Sequence, residues 1–285
     1  MTRCRYCAGI KACKVCGQPI SDFIHVGVRG AGTNSSGIWH YAVPCGHKQV
    51  VQVEAGAVQV VYNGGPLWNT RYRWLDVFWG DYWQKQNLPF NMDQIDKVVM
   101  DIETNASYSG GLKQYAATGG DMGISSLMGS KVVPTNPPQV VDDSQIQKQL
   151  ETWIDGGVLP DLGMKGAYNI FLGPGVSVTL QGDSSCATFC DFHNFTGKHA
   201  YTVEPYPCSS GCNQCTANPF DTLTQGLSEE MTELKTDFVP GTGWLIGQLE
   251  LCDFCDQQFQ CRQIDTGEYV NAWYDRSKGS CWKPG

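Results

Sequence analysis

The amino-acid sequence predicts an α+β fold, in which a mixed sheet packs against helices and a small cysteine-rich lobe comes first. Short β-branched and aromatic runs, punctuated by Gly, Asn and Pro, indicate strands. Longer segments with apolar residues every three or four positions indicate helices. The composition changes near residue 55, after a cysteine-rich start. We therefore expect a lobe over residues 1–55 and a larger domain over residues 56–285.

The N-terminal lobe is defined by two Cys-x-x-Cys pairs that stand five residues apart. These pairs are made by Cys4, Cys7, Cys13 and Cys16. Two such pairs can bind zinc tetrahedrally, with Cys45 or His47 as further ligands. They can equally form disulfides that staple a small lobe. The sequence leaves both alternatives open.

Strands open the larger domain. Residues 50–53 and 57–62 are β-branched apolar runs, and residues 74–80 have the aromatic and apolar content of a buried central strand. Residues 168–172 and 176–180 predict two more strands, which flank a Gly-Pro-Gly turn. The strand-rich segments are thus separated by a long stretch of other structure.

That intervening stretch predicts two helices. Apolar side chains recur at helical spacing over residues 92–102 and again over residues 146–154, with Ser144 as the cap of the second helix. Between the helices, residues 110–138 are rich in Gly, Ser, Thr and Pro. This composition indicates a surface excursion with a short strand at 131–133.

A later helical segment has acidic residues where many metallohydrolases have a His-Glu-x-x-His motif. Glu229, Glu230 and Glu233 lie in this run, and no histidine accompanies them. Residues four apart on a helix share a side, so Glu229 and Glu233 can converge on one point. An apolar stripe accompanies them, formed by Leu223, Leu227, Met231 and Leu234. The run can bind a cation, lack one as a vestigial site, or form a hydrated surface face.

The composition limits the classes of partner. The chain has 285 residues, 41% of them hydrophobic and 17% charged, with a formal net charge of -8. Proteins that bind phosphate backbones concentrate Lys and Arg. No window approaches the roughly 20 apolar residues that cross a bilayer. We therefore expect no nucleic-acid partner, no membrane span and no nucleotide cofactor.

Cysteine usage bears on the compartment. The 14 cysteines indicate an oxidising environment in which disulfides persist. Residues 1–4 show no apolar signal core, so we expect either a leader outside this sequence or another route of export. Nine cysteines follow residue 185, namely Cys186, Cys190, Cys208, Cys212, Cys215, Cys252, Cys255, Cys261 and Cys281. All nine are disulfide candidates, and their odd number requires one to stay free, pair with Cys45 or join a metal site.

A second zinc site is the alternative to disulfides in this region. The spacing of its candidate thiolates suits zinc. They are Cys208, Cys212, Cys215, Cys252 and Cys255.

Several short motifs stand in a fixed order between residues 60 and 282. They are NGGP at 63–66, VFWGDYW at 77–83, FLGPGV at 171–176, Cys186 to Cys190 with His193, YTVEPYPC at 201–208, PGTGW at 240–244 and ELCD at 250–253, followed by Trp273 and Cys281. Together they resemble the EXORDIUM-like (phosphate-induced) protein family and its bacterial and fungal relatives. The resemblance implies a secreted protein with a zincin-like core.

The resemblance also implies a site. The family's His-Glu-x-x-Glu-like helix ends in a Thr-Asp pair and is followed by a Glu-x-x-Asp element. The matching positions here are Glu229 for the histidine, Glu230 and Glu233 for the glutamates, Thr236 and Asp237 for the pair, and Glu250 and Asp253 for the later element. Because Glu229 replaces a neutral imidazole by a carboxylate, the preference shifts from zinc toward calcium, magnesium or manganese. We expect a divalent cation, calcium or zinc, as the cofactor.

In a working zincin, Glu230 would be the general base that activates a metal-bound water. Glu229, Glu233 and Glu250 would bind the metal, and Asp253 and Asp237 would contact these ligands without binding the metal themselves. Without a cation, mutual repulsion would raise the pKa of some of these carboxyls and leave them protonated.

His193 has two interpretations. It can serve the cleft as a hydrogen-bond donor or general acid, or it can be a structural histidine with satisfied hydrogen bonds.

Two functions follow. The missing motif histidine favours a secreted, non-catalytic protein with a degenerate metallopeptidase-type site, which binds a protein or glycan partner. The alternative is a divalent-cation-dependent peptidase that uses Glu230.

Overall fold

The computed structural model describes residues 59–68, 72–117, 120–122, 125–209, 211–212, 215–256 and 261–284, together with the backbone of three earlier strands. The predictions for Cys4, Cys7, Cys13, Cys16, Cys45, His47 and residues 50–53 lie outside the described residues. The zinc and disulfide alternatives for the N-terminal pairs therefore stay predictions.

The described residues form both helices and sheets, which confirms the α+β class. The helices are α1 (Met92–Thr104), α2 (Asp143–Asp155), α3 (Pro219–Thr236) and α4 (Leu251–Asp256). The first strands are β1 (Asp22–Gly30), β2 (Gly37–Val43), β3 (Lys48–Gln49), β4 (Val60–Tyr62), β5 (Tyr72–Trp79), β6 (Ser125–Val133), β7 (Val140–Asp142) and β8 (Gly166–Leu172). The later strands are β9 (Ser177–Leu180), β10 (Asp183–Ser184), β11 (Phe189–Phe195), β12 (Ala200–Glu204), β13 (Trp244–Ile246), β14 (Cys261–Gln263), β15 (Tyr269–Asn271), β16 (Tyr274–Asp275) and β17 (Ser280–Cys281).

The main sheet has eight strands in the order β3-β2-β1-β11-β12-β8-β5-β6. The half from β12 to β6 is parallel, and the half from β12 to β3 is antiparallel. The sheet is therefore mixed, as predicted. Because β1 pairs with β11, strands from before residue 55 extend the sheet of the larger domain. The division at residue 55 itself stays a prediction.

Smaller sheets complete the described fold. A three-stranded sheet has the order β10-β9-β7, and two-stranded sheets pair β13 with β4, β14 with β15 and β16 with β17. Residues 57–62 were expected to be a strand, and within the described part only β4 is extended. β4 pairs with β13 rather than with the main sheet.

The main sheet is covered on both faces. Along β5, Trp74 and Phe78 belong to one hydrophobic cluster, while Leu75, Val77 and Trp79 belong to another. Alternate side chains of a strand point to opposite faces, so a strand buried on both faces reads as a continuous apolar run. Helices α1, α3 and α4 contribute to the first cluster and α2 to the second. The candidate site lies on the side covered by α3.

The first two helices lie close to their predicted ranges. α1 begins after Asn91, whose side chain accepts the Gln94 N–H in a capping box. The predicted Ser144 cap of α2 is wrong. Asp142 is the cap, because its carboxylate accepts the Ser144 N–H while the Gln145 side chain reaches back to the Asp142 N–H.

The prediction of a surface excursion over residues 110–138 is wrong for two segments. A 3₁₀ helix at Ser109–Tyr115 buries Leu112 and Tyr115 completely. The expected short strand is the nine-residue β6, which forms the edge of the main sheet. The composition of β6 resembles that of a loop, because an edge strand keeps many polar residues exposed on its outer side. Most of this strand was therefore not predicted.

Four disulfides join the cysteines of the larger domain: Cys186–Cys208, Cys190–Cys212, Cys215–Cys261 and Cys255–Cys281. The alternative of a second zinc site is wrong, since four of its five candidate thiolates are bonded in pairs. Cys252 is not a disulfide cysteine; it is free and buried. The odd count is resolved because this thiol stays reduced inside α4.

In the part of the chain that the structure describes, no helix combines the length and the apolar character that crossing a bilayer requires.

Candidate metal centre

Helix α3 supplies three of the candidate ligands, and it is buried on all sides. Asn218 caps its first turn by accepting the Phe220 N–H at 3.0 Å, and Pro219 occupies the first helical position. Every residue from 222 to 236 is buried. A helix buried on all sides normally lacks charge on any face. Glu229, Glu230 and Glu233 therefore need an explanation other than solvation, and the alternative of a hydrated surface face is wrong.

The end of α3 is held by Asp237. Its carboxylate accepts the backbone N–H groups of Gly241, Thr242 and Gly243 at 2.6, 2.9 and 2.7 Å. Gly243 is required there, because a Cβ would lie 2.0 Å from the Thr236 carbonyl oxygen. Asp237 is thus committed to the turn, and only its carbonyl oxygen faces the centre, 3.3 Å from His193 Nε2. Burial, with the charge of Glu250, raises the pKa of Asp237 to about 7.

His193 supplies the imidazole that the helix lacks. It lies in β11, beside β12 in the main sheet, and its side chain is wholly buried. Its Nδ1 lies 3.0 Å from Glu230 Oε2 and 4.0 Å from Glu233 Oε2. Its Nε2 lies 3.2 Å from Glu250 Oε1. The strand therefore brings one imidazole between two glutamates that come from different parts of the chain.

Helix α4 closes the centre. The Asp253 N–H donates to Glu233 Oε1 at 3.1 Å, and the Glu250 N–H donates to Asp253 Oδ2 at 3.0 Å. The first of these bonds ties α4 to α3 through the Glu233 carboxylate. The spacing of the Glu-x-x-Asp element matters, because the Asp253 carboxylate reaches back to cap the N–H of Glu250, directly before α4.

The centre concentrates negative charge away from water. His193, Glu229, Glu230, Glu233, Glu250 and Asp253 all have zero solvent exposure. Within the described residues, hydrogen-bond partners are lacking for Glu230 Oε1, Glu233 Oε2, Glu250 Oε2 and Asp253 Oδ1. Burying a carboxylate without a partner is costly, so such groups acquire protons or coordinate a cation.

The pKa values reflect this crowding. Burial raises the pKa of Glu230, Glu233 and Asp253 well above the usual carboxyl range, and neighbouring carboxylates raise it further. Burial alone lowers the pKa of His193, but the facing Glu250 and Glu230 outweigh it and raise that pKa well above its ordinary value. The centre therefore has a high affinity for positive charge, whether protons or a metal ion.

The donor atoms fit a divalent cation. One ring nitrogen of His193 and one oxygen each from Glu230 and Glu233 lie within 4.8 Å of one another. One oxygen each from Glu229, Glu233 and Asp253 meets the same limit. Buried His, Glu and Asp groups could thus hold a metal ion. Carboxylates suit calcium, magnesium and manganese, whereas imidazole suits zinc and other transition metals.

Most of the residues proposed from the sequence meet here. Glu229, Glu233 and Asp253 form one donor group, Glu230 and His193 join Glu233 in another, and Glu250 contacts His193 from the far side. Asp237 contributes structure rather than a carboxylate ligand.

Sequence reasoning missed two neighbours of the centre. Asp191 is nearly buried, and its charge raises the pKa of Glu230. Its position two residues before His193 on β11 was the available signal, since alternate residues share a face. Cys252 lies next to Asp253, and burial together with the charge of Glu229 raises the pKa of its thiol.

Comparison of the chain with models of protein families, with curated proteins and with solved structures gave no match.

Proposed function

We propose that this chain is a non-catalytic, extracellular protein of EXORDIUM-like type, in which a divalent cation at the buried centre stabilises the fold. The single observation that carries the proposal is the complete burial of five carboxylates around one histidine, with several oxygens that lack a hydrogen-bond partner in the described residues. Cation binding at the centre would provide partners for such oxygens and offset the mutual repulsion of the carboxylates.

The closed surroundings favour a structural role over hydrolysis. Catalytic metal sites keep a coordination position open for water and substrate, whereas structural sites are enclosed by protein ligands. Each candidate ligand here has zero exposure. Glu230, which would be the general base of a peptidase, points at His193 with one oxygen at 3.0 Å.

The extracellular location is supported by the cysteines. Four disulfides join described parts of the chain. Disulfides persist in oxidising compartments and are rare in the cytosol.

A protein or glycan partner would meet the surface rather than the buried centre. Tyr62 is 41% exposed and packs on Trp244 at 5.2 Å between ring centroids. The Arg276 guanidinium lies over the same indole at 4.8 Å. Tyr, Trp and Arg are the residue types that contribute most to protein interfaces, so this surface is where we place a partner.

The peptidase alternative differs in a measurable way. The experiment combines elemental analysis of natively purified protein with a casein and peptide-library assay, each with and without chelator. We expect at least about one equivalent of bound divalent cation per chain, and no cleavage of casein or of the peptides. Chelator-sensitive cleavage that Glu230→Gln abolishes would establish the enzyme instead.

The matched control for Glu230→Gln is Asp155→Asn, which makes the same carboxylate-to-amide change at an exposed position of α2. This variant should keep the metal content and the activity of the parent protein. Absence of any bound cation after native purification and cation resupply would overturn the proposed function.

A further inference from the structure

The two groups of donor atoms at the centre share one residue. His193, Glu230 and Glu233 form what we call the imidazole site, and Glu229, Glu233 and Asp253 form the carboxylate site. Glu233 lies three residues after Glu230 and four after Glu229, and both spacings place side chains on the same side of a helix. The Glu233 side chain therefore lies near the side chains of both Glu229 and Glu230.

The two oxygens of Glu233 face different partners. Oε1 accepts the Asp253 N–H at 3.1 Å, on the side of the carboxylate site. Oε2 lies 4.0 Å from His193 Nδ1, on the side of the imidazole site, and has no hydrogen-bond partner among the residues described. A carboxylate held in this way presents one oxygen to each site, which is the arrangement of a bridging ligand.

Other buried oxygens point to a ligand independently of the acidic count. Glu230 Oε1 at the imidazole site and Asp253 Oδ1 at the carboxylate site also lack a hydrogen-bond partner in the described part of the chain. Both side chains have zero exposure. Each site thus contains a buried carboxylate oxygen that has no hydrogen-bond donor in the described part of the chain. A single cation at one site would leave the oxygen at the other site without a partner.

Charge balance favours the same conclusion. Glu229, Glu230, Glu233, Glu250 and Asp253 carry up to five negative charges around one histidine. The lysine of α3, Lys235, is already paired with Glu103. One divalent cation compensates two of these five charges, whereas two compensate four of them.

The geometry points to a dinuclear centre, in which Glu233 bridges one divalent cation at the imidazole site and a second at the carboxylate site. This inference rests on the proposed function and specifies its stoichiometry. The imidazole site has a nitrogen donor and suits a transition metal, while the carboxylate site has only oxygen donors and suits a harder cation. Manganese is compatible with both donor sets. Cations bridged in protein two-metal sites are typically about 3.5–4 Å apart.

The test uses Mn²⁺ as the probe in the full-length, disulfide-intact protein. The protein is stripped with chelator, reloaded with Mn²⁺ and desalted, and manganese per chain is measured by elemental analysis. We expect about two equivalents. Electron paramagnetic resonance at low temperature should show the multiline spectrum of two exchange-coupled ions instead of the six-line spectrum of an isolated ion.

Variants assign the two equivalents. Asp253→Asn should lose the ion of the carboxylate site, and His193→Gln should lose the ion of the imidazole site, so each retains about one equivalent with an uncoupled spectrum. Asp155→Asn should retain two coupled ions. Near-ultraviolet circular dichroism confirms that each variant is folded, and the parent protein alone tests the stoichiometry if a variant fails to fold.

The outcomes separate the two proposals. One equivalent with an uncoupled spectrum in the parent protein would overturn the dinuclear centre and leave the single-cation proposal standing. No bound manganese, calcium or zinc would overturn both. Loss of both ions in folded Asp253→Asn would overturn the division into two sites.

Discussion

Helix α3 buries charge in two regions that differ in how that charge is balanced. In the first, Lys235 pairs with Glu103 of α1 at 2.7 Å, and both side chains are almost completely buried. Glu103 also accepts the Trp74 indole N–H at 2.8 Å and the Ser125 hydroxyl. In the second region, a few residues earlier in the helix, carboxylates surround His193 without a matching number of cationic groups.

The difference shows what the chain supplies by itself. Near Lys235, Glu103 meets one base and two further hydrogen-bond donors, so the pair is complete within the protein. Around His193, carboxylate oxygens outnumber the donors of the described residues. Buried ions remain buried only when their desolvation is offset by partners. The first region therefore stabilises itself, while the second depends on protons or on bound cations.

The largest expected effect comes from breaking the ion pair between Lys235 and Glu103. Lys235→Met leaves Glu103 as an uncompensated buried carboxylate, and we expect the free energy of unfolding to fall by about 3–5 kcal/mol. Urea unfolding with the disulfides intact measures the loss. The effect should be the same with and without chelator, because Glu103 lies outside the cation sites.

The double variant Glu103→Gln with Lys235→Met is the control for that change. It removes both charges and should recover much of the lost stability, as paired removal of a buried ion pair often does. A loss under about 1 kcal/mol in the single variant would show that water reaches Glu103, contrary to the burial described.

The next largest effect comes from removing cations from the carboxylates around His193. Removing divalent cations should lower the free energy of unfolding by about 2.7 kcal/mol for each bound cation, relative to protein kept at 100 times the cation dissociation constant. Thermal unfolding monitored with chelator, and again after resupply of calcium, manganese or zinc, measures this. Identical midpoints under all conditions would contradict a bound cation.

The pH dependence follows from the raised pKa values. Glu230, Glu233, Asp253 and His193 have folded-state pKa values above their ordinary range, and that of Asp237 is about 7. The folded metal-free protein therefore holds more protons than the unfolded chain. Its stability should be full below about pH 4 with respect to these groups and fall as the pH rises through 7. Bound cations compete with those protons, so the stabilisation by cations should grow with pH.

The smallest effect concerns the thiol beside the centre. Cys252→Ala removes a fully buried sulfur and should cost about 1 kcal/mol through the small cavity that it leaves. Its metal content should equal that of the parent protein, since the donor groups do not include Cys252. A fall in bound zinc in this variant would instead make the thiol a ligand.

Much of the fold was readable from local patterns. The alternating and continuous apolar runs predicted β5, β8 and β9, and helical spacing predicted α1, α2 and α3, because these signals depend only on neighbours in the chain. Strand β6 was predicted only over residues 131–133, because its pairing with β5 depends on a distant segment. The buried 3₁₀ helix at Ser109–Tyr115 was missed for the same kind of reason, since its burial depends on contacts with distant residues. The cap of α2 was misplaced by two residues because Asp142 and Ser144 are both suitable cap types.

The sequence by itself determined that Glu229, Glu230 and Glu233 share a helix and that a Glu-x-x-Asp element follows, since helical spacing fixes which side chains lie near one another. Only the tertiary structure decided that this helix is buried on every side and that β11 places His193 against it, 37 residues away in the chain. Strand pairing and packing bring such distant residues together, and no local pattern encodes them. The same holds for the pairing of eight cysteines and the isolation of Cys252, which depend on where each sulfur lies in space.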